Sequence, residues 1–155
     1  MTTTLPIPQS ETYQLGERLA NGAPLPAVHT PRPNEVAREE LLLKRLGARG
    51  WGRMHHFRNF YQPGWGDPRC KPLSPRATES FFRFLEAVRF PDGCTPSLFL
   101  TDQGGLELRW ELNGSDVQVE FSSDGIEYYL AAEEQESFVP HAEVPALVRQ
   151  LSSPE

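Results

Sequence analysis

The clearest periodic signal is the alternation of apolar and polar residues over positions 106–121, LELRWELNGSDVQVEF. Apolar residues occupy every second position on both sides of Asn113-Gly114. Successive side chains of a strand point to opposite faces, and Asn-Gly readily takes positive φ, so the pattern predicts a β-hairpin. Its apolar side is expected to form the floor of a core, and its polar side to meet solvent or a partner. That polar side holds Glu107, Arg109, Glu111 and Glu120.

Flanking segments extend the hairpin into an antiparallel meander of about four strands. Short apolar stretches at 97–100 and 126–131 are bounded by turn residues and predict the outer strands. The glutamates at 133, 134 and 136 predict a solvated loop. Apolar positions between 144 and 151 recur at helical spacing and predict a closing helix.

Two further helices are predicted before the sheet. Ser74-Pro75 is a typical helix start, and apolar residues between 77 and 88 share one face of a helix over 74–89. Residues 34–50 predict a shorter helix with Asn34 as N-cap, an apolar stripe of Val36, Leu42, Leu43 and Leu46, and an end at Gly47 or Gly50. Residues 51–72 show no period, and we interpret them as an ordered loop with at most one short element.

Residues 1–33 contain six prolines and few large apolar side chains. Proline blocks helix, so an extended or disordered arm is expected there. Residues 34–155 are then one α+β domain, in which the meander packs on the long 74–89 helix and shorter helices flank it.

The net charge of −6 conceals a strong segregation of charge along the chain. Residues 1–40 carry −2, residues 41–76 carry +7, and residues 77–155 carry −11.

No stretch approaches the roughly 20 apolar residues of a membrane span. The N-terminus lacks a basic start and an apolar block, which favours a cytoplasmic protein. Cys70 and Cys94 lack metal-ligand spacing. The sequence favours two free thiols, with a disulfide bond between them as the alternative.

Several motifs within residues 61–131 resemble a loose group of small bacterial proteins. They are YQPGWG at 61–66, PLSP at 72–75, TDQGGLELRW at 101–110, VQVEF at 117–121 and the Asp124-Gly125 turn. The group's pattern is roughly Gly-Trp-Asp-Gly, a Pro-Ser-Pro helix start and Asp-Gly-Gly-x-x-Leu-Glu-Trp. This sequence inverts Asp-Gly at Gly66-Asp67 and places Gln103 and Arg109 where acidic residues are common. The resemblance implies a companion of toxin-type genes with an antitoxin-like or accessory role and no enzymatic activity.

Catalytic and metal chemistry find weak support in the residue pattern. Carboxylates on the polar side of the hairpin could hold Mg²⁺, which leaves a metal-dependent nuclease as a third alternative. Simple strand alternation explains their spacing, however, and Arg109 is expected to form a cross-strand charge pair. The histidines lack ligand spacing, and no phosphate-binding glycine motif is present. We therefore predict no catalytic residue, no metal and no cofactor.

The best functional lead is a basic aromatic segment, residues 44–71. Arginine and aromatic side chains are typical anchors of protein interfaces, and they also stack on and pair with nucleic acids. The candidate contact residues are Arg49, Trp51, Arg53, His55, His56, Arg58 and Trp65. The sequence thus predicts a non-enzymatic interaction module that binds and occludes a protein partner of the toxin or effector type. The alternative is a nucleic-acid-binding accessory protein.

Overall fold

The computed structural model describes residues 30–154. Within them the helices are α1 (Pro33–Phe60), α2 (Pro75–Ala87) and α3 (Val144–Leu151). The strands are β1 (Ser97–Leu100), β2 (Leu106–Leu112), β3 (Ser115–Phe121), β4 (Ile126–Leu130) and β5 (Gln135–Val139). Short 3₁₀ turns occupy Ala131–Glu133 and His141–Glu143. The arm predicted for residues 1–33 lies almost wholly outside the described residues. No helix between residues 30 and 154 is long and apolar enough to cross a membrane.

The five strands form one antiparallel sheet whose spatial order follows the chain, β1-β2-β3-β4-β5. The α+β class and the antiparallel meander are therefore confirmed. The solvated loop predicted around residues 133–136 is wrong beyond Glu134, because the chain enters β5 at Gln135. This strand lies at the edge of the sheet and buries neither face fully. It consequently lacks the apolar alternation that identifies an inner strand.

The hairpin at 106–121 folds as its alternation predicts. Leu106, Leu108 and Trp110 of β2 are buried, and so are the apolar residues of β3 that face the same side. Asn113 and Gly114 both have positive φ, at 53° and 79°. The side of the sheet that holds these buried residues, here called the inner face, is the floor of the core.

Helix α2 covers the inner face, as predicted. The Ser74 hydroxyl oxygen accepts a hydrogen bond from the Ala77 N–H at 3.3 Å, and Pro75 occupies the first turn. The rings of Phe81 and Phe84 lie 5.7 and 5.3 Å from the ring of Phe121, between centroids. Helix α3 packs beside α2 and completes this layer.

Helix α1 departs most from the sequence prediction. The predicted end of the first helical piece at Gly47 is confirmed, but a second helical piece follows it, and the loop expected from residue 51 is helical up to Phe60. The N-cap is Arg32 rather than Asn34, and the Arg32 N–H donates to the Glu35 carboxylate at 2.9 Å. At Gly47 the backbone leaves the helical region, with φ 67° and ψ −175°. Two helical pieces, residues 33–46 and 48–60, therefore meet at this glycine and together form the α1 hairpin.

Candidate functional site

Glu39 is the centre of a polar network that joins the two pieces of the α1 hairpin. Its carboxylate accepts hydrogen bonds from the indole N–H of Trp51 and from the Arg58 guanidinium, the latter at 3.4 Å. It also shares one with His55 Nε2 at 2.7 Å. These three partners belong to the predicted contact set. They come together because the chain reverses at Gly47.

The network favours the ionised form of Glu39. Partial burial raises the pKa of this carboxyl, but the hydrogen bonds from His55 and Trp51 and the charge of Arg58 outweigh it, and the pKa lies below its ordinary value. The rings of Trp51 and His55 are stacked at a tilt with centroids 4.4 Å apart. Their orientation is thus fixed by contacts within the hairpin.

The other predicted contact residues lie in two further groups. The Arg53 guanidinium carbon lies 4.7 Å from the centre of the Phe99 ring on β1, and Arg49 is exposed near the start of that strand. The second group lies at the end of the hairpin around Tyr61. The Tyr61 ring packs edge-on against His56 at 5.2 Å and against Trp65 at 4.5 Å, between centroids.

Trp65 has a clear structural role in the loop that follows α1. Its indole N–H donates to the Lys71 carbonyl at 2.8 Å, and the Lys71 N–H in turn donates to the Asp102 carbonyl at 2.8 Å. These bonds attach the loop to the β1–β2 turn. The predicted contact residues therefore form three groups rather than one cluster, and Trp65 holds the loop.

Exposed apolar side chains accumulate on the α1 hairpin. Val36 is 42% exposed, Leu43 is 48% exposed and Phe60 is 70% exposed. The apolar stripe predicted for the first piece is only half right, because Leu42 and Leu46 are buried while Val36 and Leu43 are not. Sequence spacing alone did not separate these two pairs, since they lie on adjacent sides of one helix.

The side of the sheet away from the core, here called the outer face, carries a row of acidic groups. The strand register places Glu107, Glu120 and Glu127 directly beside one another on β2, β3 and β4. Phe99 and Phe138 extend the same row onto the two edge strands. Like charges opposite each other in a sheet are destabilising, so this row is costly for the fold.

Hydrogen bonds offset part of that cost. The Arg109 guanidinium donates to Glu107, and the Gln118 amide donates to the other Glu107 oxygen at 2.9 Å. The predicted cross-strand pairing of Arg109 is wrong, because its partner lies two residues away on the same strand. Burial raises the pKa of Glu120, with further contributions from Glu127, Glu107 and Asp102, while a hydrogen bond from Thr101 opposes them.

A serine–histidine contact lies elsewhere in the domain. His141 Nε2 lies 3.1 Å from the Ser123 carbonyl and must donate to it, so in the neutral imidazole Nδ1 accepts from the Ser80 hydroxyl. Ser80 is only 3% exposed. A substrate carbonyl has no access to this oxygen, and the contact instead links α2 to two loops.

Other reactive groups in the described part of the chain show no clustering. Residues 30–154 contain no group of three or more histidine, cysteine or acidic side chains placed to hold a metal ion. Cys70 and Cys94 are free thiols, as favoured from the sequence.

Comparisons of the chain with known protein families, with curated proteins and with solved structures gave no match.

Proposed function

We propose that this chain is a non-enzymatic protein-interaction module whose partner docks on the α1 hairpin. The observation that carries the proposal is the exposure of Val36, Leu43 and Phe60 on this one element. Apolar groups exposed beside arginine and aromatic side chains are typical of interface anchors.

The Glu39 network supports the same surface in a second way. Trp51 and His55 are already held by hydrogen bonds to Glu39, so a partner would not have to order them. Binding to a preorganised surface loses less conformational entropy. Arg49 and Lys44 are exposed on the same hairpin and would attract an acidic partner.

The proposed partner is a toxin or effector protein in the cytoplasm. Docking on α1 would cover the surface that this partner needs for its own activity. The motifs at 61–131 that resemble companions of toxin-type genes motivate this choice.

The test is affinity purification of the tagged full-length chain from its native host, with nuclease present, followed by mass spectrometry. We expect one protein to be retained in stoichiometric amount. Leu43→Ser combined with Phe60→Ser should abolish its retention. Phe138→Ser is the matched control, because this phenylalanine is 55% exposed on β5 rather than on α1.

Three outcomes would contradict the proposal. Retention that survives the α1 substitutions, or is lost with Phe138→Ser alone, would place any interface elsewhere. Recovery of nucleic acid rather than protein, when nuclease is left out, would favour the nucleic-acid alternative for residues 44–71. Circular dichroism of each variant must show that the fold is retained.

A further inference from the structure

A slot of about 140 Å³ lies between the second helical piece of α1 and the segment that leads into β1. Its polar side chains are Arg49 and Arg53 on the helix and Thr95 and Ser97 on the opposite wall. We propose that this slot binds the carboxylate of an acidic side chain of a partner protein. The identity of that partner rests on the proposed interaction function, but the binding itself can be measured with a peptide.

Arg49 and Arg53 differ from the other arginines of α1 in having no acceptor. Within residues 30–154 neither guanidinium forms a hydrogen bond or an ion pair. The remaining arginines of the helix each donate to a carboxylate or carbonyl oxygen, and they are Arg38, Arg45 and Arg58. Arg49 and Arg53 are four residues apart, and like charges at this spacing destabilise a helix. An anion bound in the slot would offset that repulsion.

The opposite wall of the slot adds two hydroxyl donors. Thr95 and Ser97 are exposed, and neither hydroxyl has a hydrogen-bond partner in the described part of the chain. No carboxylate of the described residues borders the slot. Guanidinium and hydroxyl groups can all donate, whereas an ionised carboxylate only accepts. The slot is therefore complementary to an anion in both charge and hydrogen bonding.

Aromatic contacts hold Arg53 in place at the slot. Its guanidinium carbon lies 4.7 Å from the centre of the Phe99 ring and 5.9 Å from the centre of the Phe57 ring. The face of an aromatic ring attracts a cation. Since Arg53 is already positioned by these rings, binding an anion loses less side-chain entropy than it would at a free surface arginine.

The slot suits an acidic protein side chain better than the phosphates of a nucleic acid. Its volume of about 140 Å³ gives room for one anionic group. A nucleic acid carries a charge on every nucleotide, and residues 77–155, with a net charge of −11, would repel the neighbouring phosphates. A protein segment can present one carboxylate without further negative charge. Such a segment also fits a partner that docks on the adjoining α1 hairpin.

The experiment is an NMR titration of the ¹⁵N-labelled full chain with a ten-residue peptide of alternating glutamate and threonine. We expect the side-chain Nε–H resonances of Arg49 and Arg53 to shift, while those of Arg76 and Arg83 on α2 stay in place. A peptide in which glutamine replaces every glutamate should cause no shift. A ten-nucleotide oligothymidylate should bind at least tenfold more weakly than the glutamate peptide.

Substitutions separate the slot from general basicity of the surface. Arg49→Gln combined with Arg53→Gln should weaken binding of the glutamate peptide about tenfold. Arg49→Gln alone leaves the packing of Arg53 intact and should weaken it about threefold. Arg76→Gln combined with Arg83→Gln removes the same charge from exposed positions outside the slot and should change the affinity less than about twofold.

Several results would overturn the proposal. Equal weakening by the two double substitutions would show non-specific attraction, and unchanged Arg49 and Arg53 resonances at saturating peptide would show that the slot is not the site. Tighter binding of the oligothymidylate at these resonances would assign the slot to nucleic acid. A shift on concentrating the chain without peptide would identify a second copy as the occupant.

The titration is also independent of apolar docking on α1. Leu43→Ser combined with Phe60→Ser should leave the affinity for the glutamate peptide unchanged. If the native partner is retained through Leu43 and Phe60 but the peptide does not bind, the slot proposal alone fails. If the peptide binds but no protein is retained from the host, the proposed function fails while the anion site stands.

Discussion

Glu39 and His55 share a hydrogen bond of 2.7 Å although sixteen residues separate them within α1. On a straight helix the two would stand about 24 Å apart. The bond therefore depends on the reversal at Gly47, and the candidate interface depends on it too. Trp51 and Arg58 reach the same carboxylate only because the second helical piece runs back along the first.

Gly47→Ala should destabilise the domain. The backbone at Gly47, with φ 67° and ψ −175°, lies in a region that is essentially restricted to glycine. We expect the free energy of unfolding to fall by about 1–3 kcal/mol in urea titration. Gly52→Ala is the matched control, since Gly52 lies inside the second helical piece and its added Cβ would meet no atom within 4 Å. That variant should be neutral or more stable, by up to about 1 kcal/mol. Equal losses in both variants would contradict the role of Gly47.

Glu39→Gln should remove a pH-dependent stabilisation. The pKa of Glu39 is lower in the folded chain than in the unfolded one, so its contribution is present above about pH 4.3 and is lost as the pH falls through the folded pKa. At pH 7 we expect a loss of about 1 kcal/mol, because the carboxylate is partly exposed. The difference between wild type and variant should shrink at pH 3. Glu40→Gln changes the same charge at the exposed neighbouring position and should cost much less; a similar cost would argue against the network.

Glu120→Gln should have the opposite sign. The pKa of Glu120 is raised by folding, so its contribution to stability is present below about pH 4.3 and is lost as the pH rises through the folded pKa. Removing the charge should stabilise the domain at pH 7 by about 0.2–1 kcal/mol and have no effect at acidic pH. Glu136→Gln provides the comparison, because Glu136 lies opposite Tyr129 and not opposite another carboxylate. If Glu120→Gln destabilised the domain at pH 7, the repulsion inferred from the register would be refuted.

Ser80→Ala tests the serine–histidine contact as a structural link. The substitution leaves His141 Nδ1 without its donor in a partly buried position. Thermal and urea unfolding should show a loss of about 1–3 kcal/mol. Ser123→Ala keeps the bond from His141 Nε2, because that bond is to the Ser123 carbonyl, and should change stability by less than about 0.5 kcal/mol. Unchanged stability in Ser80→Ala would mean that solvent or another group replaces the contact.

The sheet could be predicted from the sequence because its signals are local. Alternation identified β2 and β3, and Asn113-Gly114 fixed their turn and hence the register between Glu107 and Glu120. Strand β5 gave no such signal. Its side chains are half exposed on both faces, so burial imposes no period on the sequence.

The α1 hairpin could not be predicted in the same way, because one of its glycines interrupts the helix while others lie inside a helical piece. Gly47 interrupts the helix, whereas Gly50 and Gly52 lie within the second helical piece, and all three look alike in the sequence. Met54 and Phe57 are buried at helical spacing, but the surrounding aromatic residues obscured that period. Residues 44–71 were identified as a candidate interface from their composition. Glu39, the centre of the hydrogen-bond network, lies outside this segment and contacts it only in the folded structure.

Because the spatial order of the strands follows the chain, each strand pairs with its neighbour in sequence. Such local pairing loses little loop entropy on closure, and low contact order is associated with rapid folding. The hairpin centred on Asn113-Gly114 can therefore form early, without waiting for the helices. Joining α1 and α2 to it requires contacts across longer stretches of chain. In ribosomal synthesis, moreover, both helices emerge before the strands they pack against, so until the sheet is complete the apolar faces of α1 and α2 can only pack on each other or meet water.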